Sequence, residues 1–150
     1  MNKNFIRINS RLKNYDYTRC GYYFITICTK DKKHYFGEII NNEIIYNDIG
    51  KKAYASIKDI ENIYKTITID NFIIMPNHIH VIIIIDKETE ITIPRVVKQY
   101  KEYITKQTGK KVWQKSYYDH IIRNESDYLR IYQYINENVL KWSLDKYYSE

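Results

Sequence analysis

Between Thr66 and Ile85 the chain carries two runs rich in β-branched residues, Thr66 to Met75 and His78 to Ile85, with only Pro76-Asn77 between them. Such residues favour extended backbone, and a two-residue break leaves room only for a tight reversal. The segment is expected to form an antiparallel hairpin in the centre of a sheet. Side chains alternate faces along a strand. His78 and His80 then project side by side from one face, while Ile79 and Val81 point to the other. Paired imidazoles aimed at one point suit a divalent metal. A hydrogen-bonded core histidine is the plainer alternative, and the choice turns on what partners the rest of the chain supplies.

At 150 residues the chain is long enough for one domain with a proper core. Its net charge is +6, with Lys and Arg spread along the whole length. That balance favours an anionic partner, nucleic acid being the commonest. Cys20 and Cys28 form no Cys-x-x-Cys pair, and no secretory signal opens the sequence, so reduced thiols and a cytoplasmic location are expected. No apolar stretch approaches the roughly 18 residues that a membrane span requires.

Residues 1–20 are basic and polar, without an apolar period, and are expected to form an N-terminal arm ahead of a single domain, 21–150. Tyr22 to Thr29 predicts a strand, and Phe36 to Tyr46 a short hairpin turning at Asn41-Asn42. Ile49, Ala53, Ile57, Ile60 and Tyr64 recur at helical spacing, which predicts a helix from Asn47 or Asp48 to about Tyr64. A second helix is expected from Pro94 to Gly109 and another strand from Val112 to Ile122. The last helix starts near Asn124, with Asp127 three residues on as a capping partner, and runs to about Trp142. The order β, α, β-β, α, β, α predicts an α+β domain: a ferredoxin-like antiparallel sheet with helices packed on one face.

In the last helix, Tyr128, Ile131, Tyr132, Ile135 and Val139 form the stripe expected to meet the sheet. Tyr134 projects roughly 120° away from that stripe. Asn138 lies one turn above Tyr134 on the same side. An exposed tyrosine and an exposed asparagine are the plain alternative. Taken with the histidines, the four residues make chemical sense. Two neutral imidazoles and an amide oxygen leave a hard ion such as Mg2+ or Mn2+ with open positions. The ion would hold a phosphodiester, and a neighbouring phenol could attack it. A phenol of pKa near 10 needs such help at neutral pH.

The run Phe72-Ile73-Ile74-Met75-Pro76-Asn77-His78-Ile79-His80 resembles the signature of the single-tyrosine HUH transposases, and within them the REP-associated tyrosine transposases. The resemblance extends upstream through Tyr22 to Thr29 and Phe36-Gly37-Glu38, and downstream through Val112 to Asn124. It ends on Asp127-Tyr128 and Tyr134 to Asn138. It implies metal-dependent nicking and rejoining of hairpin-bearing single-stranded DNA through a 5′-phosphotyrosine. It also implies His78 and His80 as metal ligands, Asn138 as a third, Tyr134 as nucleophile, and Mg2+ or Mn2+ as cofactor. Family members show Asn-Pro at the end of the tyrosine helix, whereas Val139-Leu140 follows Asn138 here, which predicts a helix that runs on. Some relatives complete their sites across a dimer and others work within one chain, so a monomer and a homodimer both stay open.

Lys98, Lys101, Lys115 and Arg123 are candidate phosphate contacts, with a solvated face as the alternative for each. Gln114 and His120 join them as candidate DNA-binding residues, although an Asp-flanked strand histidine is often structural. His34, in a lysine-rich loop, is expected to be a solvated surface residue. A non-catalytic hairpin-binding protein and an HUH replication initiator are the competing functions. A zinc hydrolase is disfavoured, since no His-Glu-x-x-His pattern occurs.

Overall fold

The computed structural model describes residues 20–87 and 89–150. The expected N-terminal arm therefore lies outside the described residues, apart from Cys20. A four-stranded sheet is built from β1 (Gly21–Cys28), β4 (Ile67–Met75), β5 (His78–Ile85) and β6 (Tyr118–Ile122), in the order β4-β5-β1-β6, with every neighbouring pair antiparallel. With α1 (Asp48–Ile63) between β1 and β4, and α2 (Ile93–Thr108) between β5 and β6, this is the expected ferredoxin-like βαββαβ arrangement. A separate hairpin, β2 (Gly37–Ile40) and β3 (Glu43–Tyr46), precedes α1. Its turn residues Asn41 and Asn42 both have positive φ, the backbone that two-residue hairpins favour.

Each helix begins where a polar side chain can take an orphan amide. Asn47 accepts from Gly50 N at 2.9 Å, Thr92 from Arg95 N at 3.2 Å, and Asn124 from Asp127 N at 2.8 Å. Helix α2 stops at Gly109, whose φ of +67° suits a left-handed cap.

Two apolar layers cover the two faces of the sheet. On one, Tyr23, Ile25 and Ile27 of β1 and Ile79, Val81, Ile83 and Ile85 of β5 meet buried residues of α1 and α2. On the other, Ile82 of β5 and Ile122 of β6 meet Tyr128, Ile131 and Ile135 of α3 (Glu125–Glu137). The helices of the βαββαβ core thus share one face, as expected, and α3 adds a layer on the second. Period two puts His78 and His80 on that second face with Ile82. The last helix is therefore brought to the histidines.

Three sequence expectations change. Residues 112–117 are not strand, apart from a bridge between Trp113 and Thr29; the strand starts only at Tyr118. Ser116 has a φ of 71°, and Lys101 Nζ donates to the carbonyls of Gln114 and Ser116, both at 3.0 Å, satisfying groups that a ladder would otherwise take. Helix α3 ends at Glu137 rather than near Trp142, and a turn and a 3-10 segment (Trp142–Leu144) follow. The amide of Asn138 donates sideways to Asp145 Oδ2 at 2.8 Å, pinning the chain where the helix stops. Tyr132 is exposed rather than part of the buried stripe, and stands against the ring of Tyr128.

Gly50 sits in the first turn of α1, where Ala would normally favour the helix by about 1 kcal/mol. Here a Cβ would lie 2.0 Å from the backbone oxygen of Phe36. Phe36 N in turn donates to Pro76 O at 3.1 Å, beside the histidine turn. Gly50→Ala is expected to destabilise the protein by about 2–3 kcal/mol, seen as a lowered thermal midpoint. A raised midpoint would show that helix propensity outweighs the clash.

Candidate functional site

The turn that launches β5 is tied down from the neighbouring strand, since Thr29 N donates to Asn77 O at 2.9 Å. His78 then pairs with Cys28 and His80 with Thr26 across the β1–β5 ladder. The imidazole centroids are 4.6 Å apart. His78 Nδ1–H donates to Asn77 Oδ1 at 2.7 Å, which puts the lone pair on its Nε2. His80 Nδ1 shares a hydrogen bond of 2.8 Å with the Thr26 hydroxyl. Both rings are buried, and neither Nε2 has a partner. Burial pulls the pKa of His78 down to about 4, opposed by Asp145 and Asn138. Burial, then the neighbouring His78, hold His80 well below the ordinary histidine range. The pair is neutral at neutral pH, the state that ligates metal.

Helix α3 presents Tyr134 from above, with its ring centroid 5.1 Å from that of His80 and edge-on to Phe24 at 6.4 Å. The Tyr134 hydroxyl donates to Asp145 Oδ2 at 2.7 Å. Burial, then the Asp145 carboxylate, push the phenol well above its ordinary pKa, and the Asn138 side chain pulls the other way. Asn138, at the C-terminal cap of α3, is 1% exposed, and its Oδ1 is a third buried atom without a partner. An unpartnered buried acceptor costs about 1–3 kcal/mol. Three of them around one spot fit a cation. Two imidazole nitrogens and oxygen donors form a set suited to a divalent first-row ion.

Asp145 went unread in the sequence. Its carboxylate comes within 4.8 Å of the ligand atoms of His78 and His80, so the three form a candidate metal site. It also accepts from Tyr134, from Asn138, and from Tyr147 N at 2.8 Å. The segment that carries it lies over the histidines: the Tyr147 ring is 4.7 Å from that of His78 and 5.5 Å from that of His80. Asn77 Nδ2 donates to Tyr147 O at 2.7 Å. His34, expected to be solvated, is instead only 14% exposed; its Nδ1 meets Glu38 at 3.0 Å and its Nε2 meets Ser149 O at 2.9 Å.

No family model matches the chain. A Haemophilus influenzae protein of uncharacterised function is 38% identical over 95% of this chain and 93% of its own length. A second H. influenzae protein, 26% identical over 87% of this chain and 77% of its own, bears the provisional name REP-associated tyrosine transposase. The solved structure of a REP-associated tyrosine transposase bound to a REP hairpin superposes with a TM-score of 0.69 at 22% identity, covering 92% of this chain and 77% of that one. In sequence and fold the chain is similar to the REP-associated tyrosine transposases. A provisionally named transposase from Deinococcus radiodurans R1 has the same fold, with a TM-score of 0.53 at 17% identity over 86% of this chain and 97% of that one.

Around this site, the candidate DNA-binding residues divide into groups. Gln114 and His120 line a cavity of about 520 Å3 with Phe24, Thr26, Tyr118 and Tyr147, beside the histidines. Lys115 and Arg123 are exposed on either side of β6. Lys101 holds the 112–117 loop, and Lys98 stands on the exposed side of α2, 3.9 Å from Glu102 and across the sheet from the histidines. Among the described residues no helix is long and apolar enough to cross a membrane.

Proposed function

We propose that this chain is a metal-dependent nickase and strand transferase for hairpin-bearing single-stranded DNA, with Tyr134 as its nucleophile. The observation that carries the reading is the set of three buried, unpartnered atoms beside the Tyr134 hydroxyl: His78 Nε2, His80 Nε2 and Asn138 Oδ1. These three would hold Mn2+ or Mg2+, with the two imidazoles favouring Mn2+. The bound ion would polarise a nonbridging phosphate oxygen and offset charge developing on phosphorus.

Tyr134 Oη attacks the phosphorus, forming the phosphotyrosine O–P bond as the P–O3′ bond breaks. The products are a 5′-phosphotyrosine and a strand whose departing O3′ takes a proton from water to become a 3′-hydroxyl. Asp145 Oδ2, already accepting the Tyr134 hydroxyl at 2.7 Å, takes the phenolic proton. Attack of a 3′-hydroxyl on the phosphotyrosine, its proton passing to water, reverses these bonds and rejoins strands, and Asp145 returns the proton it holds to the Tyr134 oxygen. Because His80 and Tyr134 of one chain already lie together, the reading favours a site completed without a second copy. Free Cys20 and Cys28 suit a cytoplasmic setting, where the DNA is.

The test mixes the protein with labelled single-stranded hairpin oligonucleotides in Mn2+ or EDTA and resolves the products on a denaturing gel. A covalent adduct that needs Mn2+ supports the reading; hairpin binding without any adduct reduces the protein to a binding module. Asp145→Asn keeps the shape but loses the proton acceptor. Its single-turnover adduct rate is expected to fall about 100-fold with hairpin affinity unchanged. An unaltered rate removes Asp145 from the chemistry.

A further inference from the structure

The first turn of α3 carries a network that the strand-transfer chemistry does not use. Asp127 Oδ2 meets His120 Nε2 at 2.6 Å, and its Oδ1 accepts from Arg130 Nη2 at 2.5 Å. The carboxylate is turned inward, its side chain 16% exposed, while His120 and Arg130 are 50% and 69% exposed. Burial pushes Asp127 up, but the hydrogen bonds from His120 and Arg130 outweigh it and hold the carboxyl below its ordinary range. The result is an ionised anchor that orients two cation-forming side chains outward.

Both side chains line a cavity of about 470 Å3 whose other walls include His80, Tyr134, Asp145 and Lys146. The buried His80, with its unpartnered Nε2, opens on the same cavity. An exposed ion pair adds little to stability, so helix support alone is a poor account of a two-cation network at this position. A guanidinium held by one edge keeps its remaining N–H donors for a phosphate.

We propose that Arg130 and His120, oriented together by Asp127, bind a phosphodiester of the single-stranded flank beside Tyr134. This rests on the DNA-processing reading above, and it adds Arg130 to the residues that contact substrate. The clamp holds the backbone on the helix side of the cavity, so that the neighbouring phosphodiester meets the Tyr134 hydroxyl.

The test measures affinity for a hairpin oligonucleotide with a single-stranded flank, in EDTA, between roughly 50 and 200 mM salt. Arg130→Ala is expected to reduce the slope of log affinity against log salt by about 0.7, one phosphate contact on a single strand. Arg130→Lys keeps the slope but slows adduct formation about tenfold, because the charge remains and the fork geometry does not. His120→Gln weakens binding in the same direction. A methylphosphonate walked along the flank should find one position at which wild type loses affinity and Arg130→Ala loses nothing more.

Additive losses at every position, or an unchanged salt slope with only a lowered thermal midpoint, overturn the clamp and leave a helix-supporting network. The two readings fail separately. A wild type that forms no adduct overturns the chemistry at Tyr134, while the salt slope of Arg130→Ala still decides the clamp.

Discussion

Tyr134→Phe is expected to bind hairpin DNA within about twofold of wild type and to form no covalent adduct in Mn2+. The substitution removes one atom, the hydroxyl oxygen. The ring keeps its edge-on contact with Phe24 and its place beside His80. Asp145 Oδ2 loses one donor but retains Asn138 Nδ2. The stability change should therefore stay near 1 kcal/mol, the net worth of one hydrogen bond. The outcome is informative because a second phenol competes. Tyr147 lies nearer to His78 and comparably near to His80, and it too is half-buried with a raised pKa, about 12, chiefly through burial. What separates the two is support. Tyr134 projects from a helix packed on the sheet through Ile131 and Ile135, whereas Tyr147 lies in irregular chain beyond the last 3-10 turn. An adduct that survives Tyr134→Phe and disappears in Tyr147→Phe would reassign the nucleophile.

The parts of this site that were legible in the sequence are those set by local period. Two-residue alternation placed His78 and His80 on one face, and helical spacing set Tyr134 off the core stripe with Asn138 above it. The turn chemistry at Asn41-Asn42, the caps at Asn47, Thr92 and Asn124, and Gly109 follow equally local rules. What escaped depends on contacts between distant residues. Asp145 belongs to no period, and the bonds that fix its segment, from Asn77 to Tyr147 and from His34 to Ser149, span 70 and 115 residues. The 112–117 stretch looked like strand because its side chains are strand-like. Lys101, on a helix, instead satisfies its carbonyls. Lys101 also shows how a lysine that suits a phosphate by composition can be committed to backbone.

Metal should change stability as well as activity. Without an ion, His78 Nε2, His80 Nε2 and Asn138 Oδ1 are buried without partners, each at a cost of about 1–3 kcal/mol. An ion that binds only the folded state adds RT ln(1 + [L]/Kd), about 2.7 kcal/mol at 100 times Kd. For a chain of this size that raises the thermal midpoint by roughly 5–10 °C. Wild type in excess Mn2+ is expected to show that rise over EDTA, and His80→Gln to lose nearly all of it. The increment is the quantity to compare, because removing a buried imidazole also disturbs the Thr26 hydroxyl and the packing against Phe24. The same measurement assigns the oxygen ligand. Asn138 offers an amide oxygen that nothing else satisfies, whereas Asp145 offers a carboxylate already shared by three donors. Asn138→Ala should therefore reduce the increment more than Asp145→Asn does. If Asp145→Asn abolishes it while Asn138→Ala leaves it intact, the carboxylate is the ligand and cannot also be free to take the Tyr134 proton. A wild type with no increment at any Mn2+ concentration would remove the metal from the site altogether.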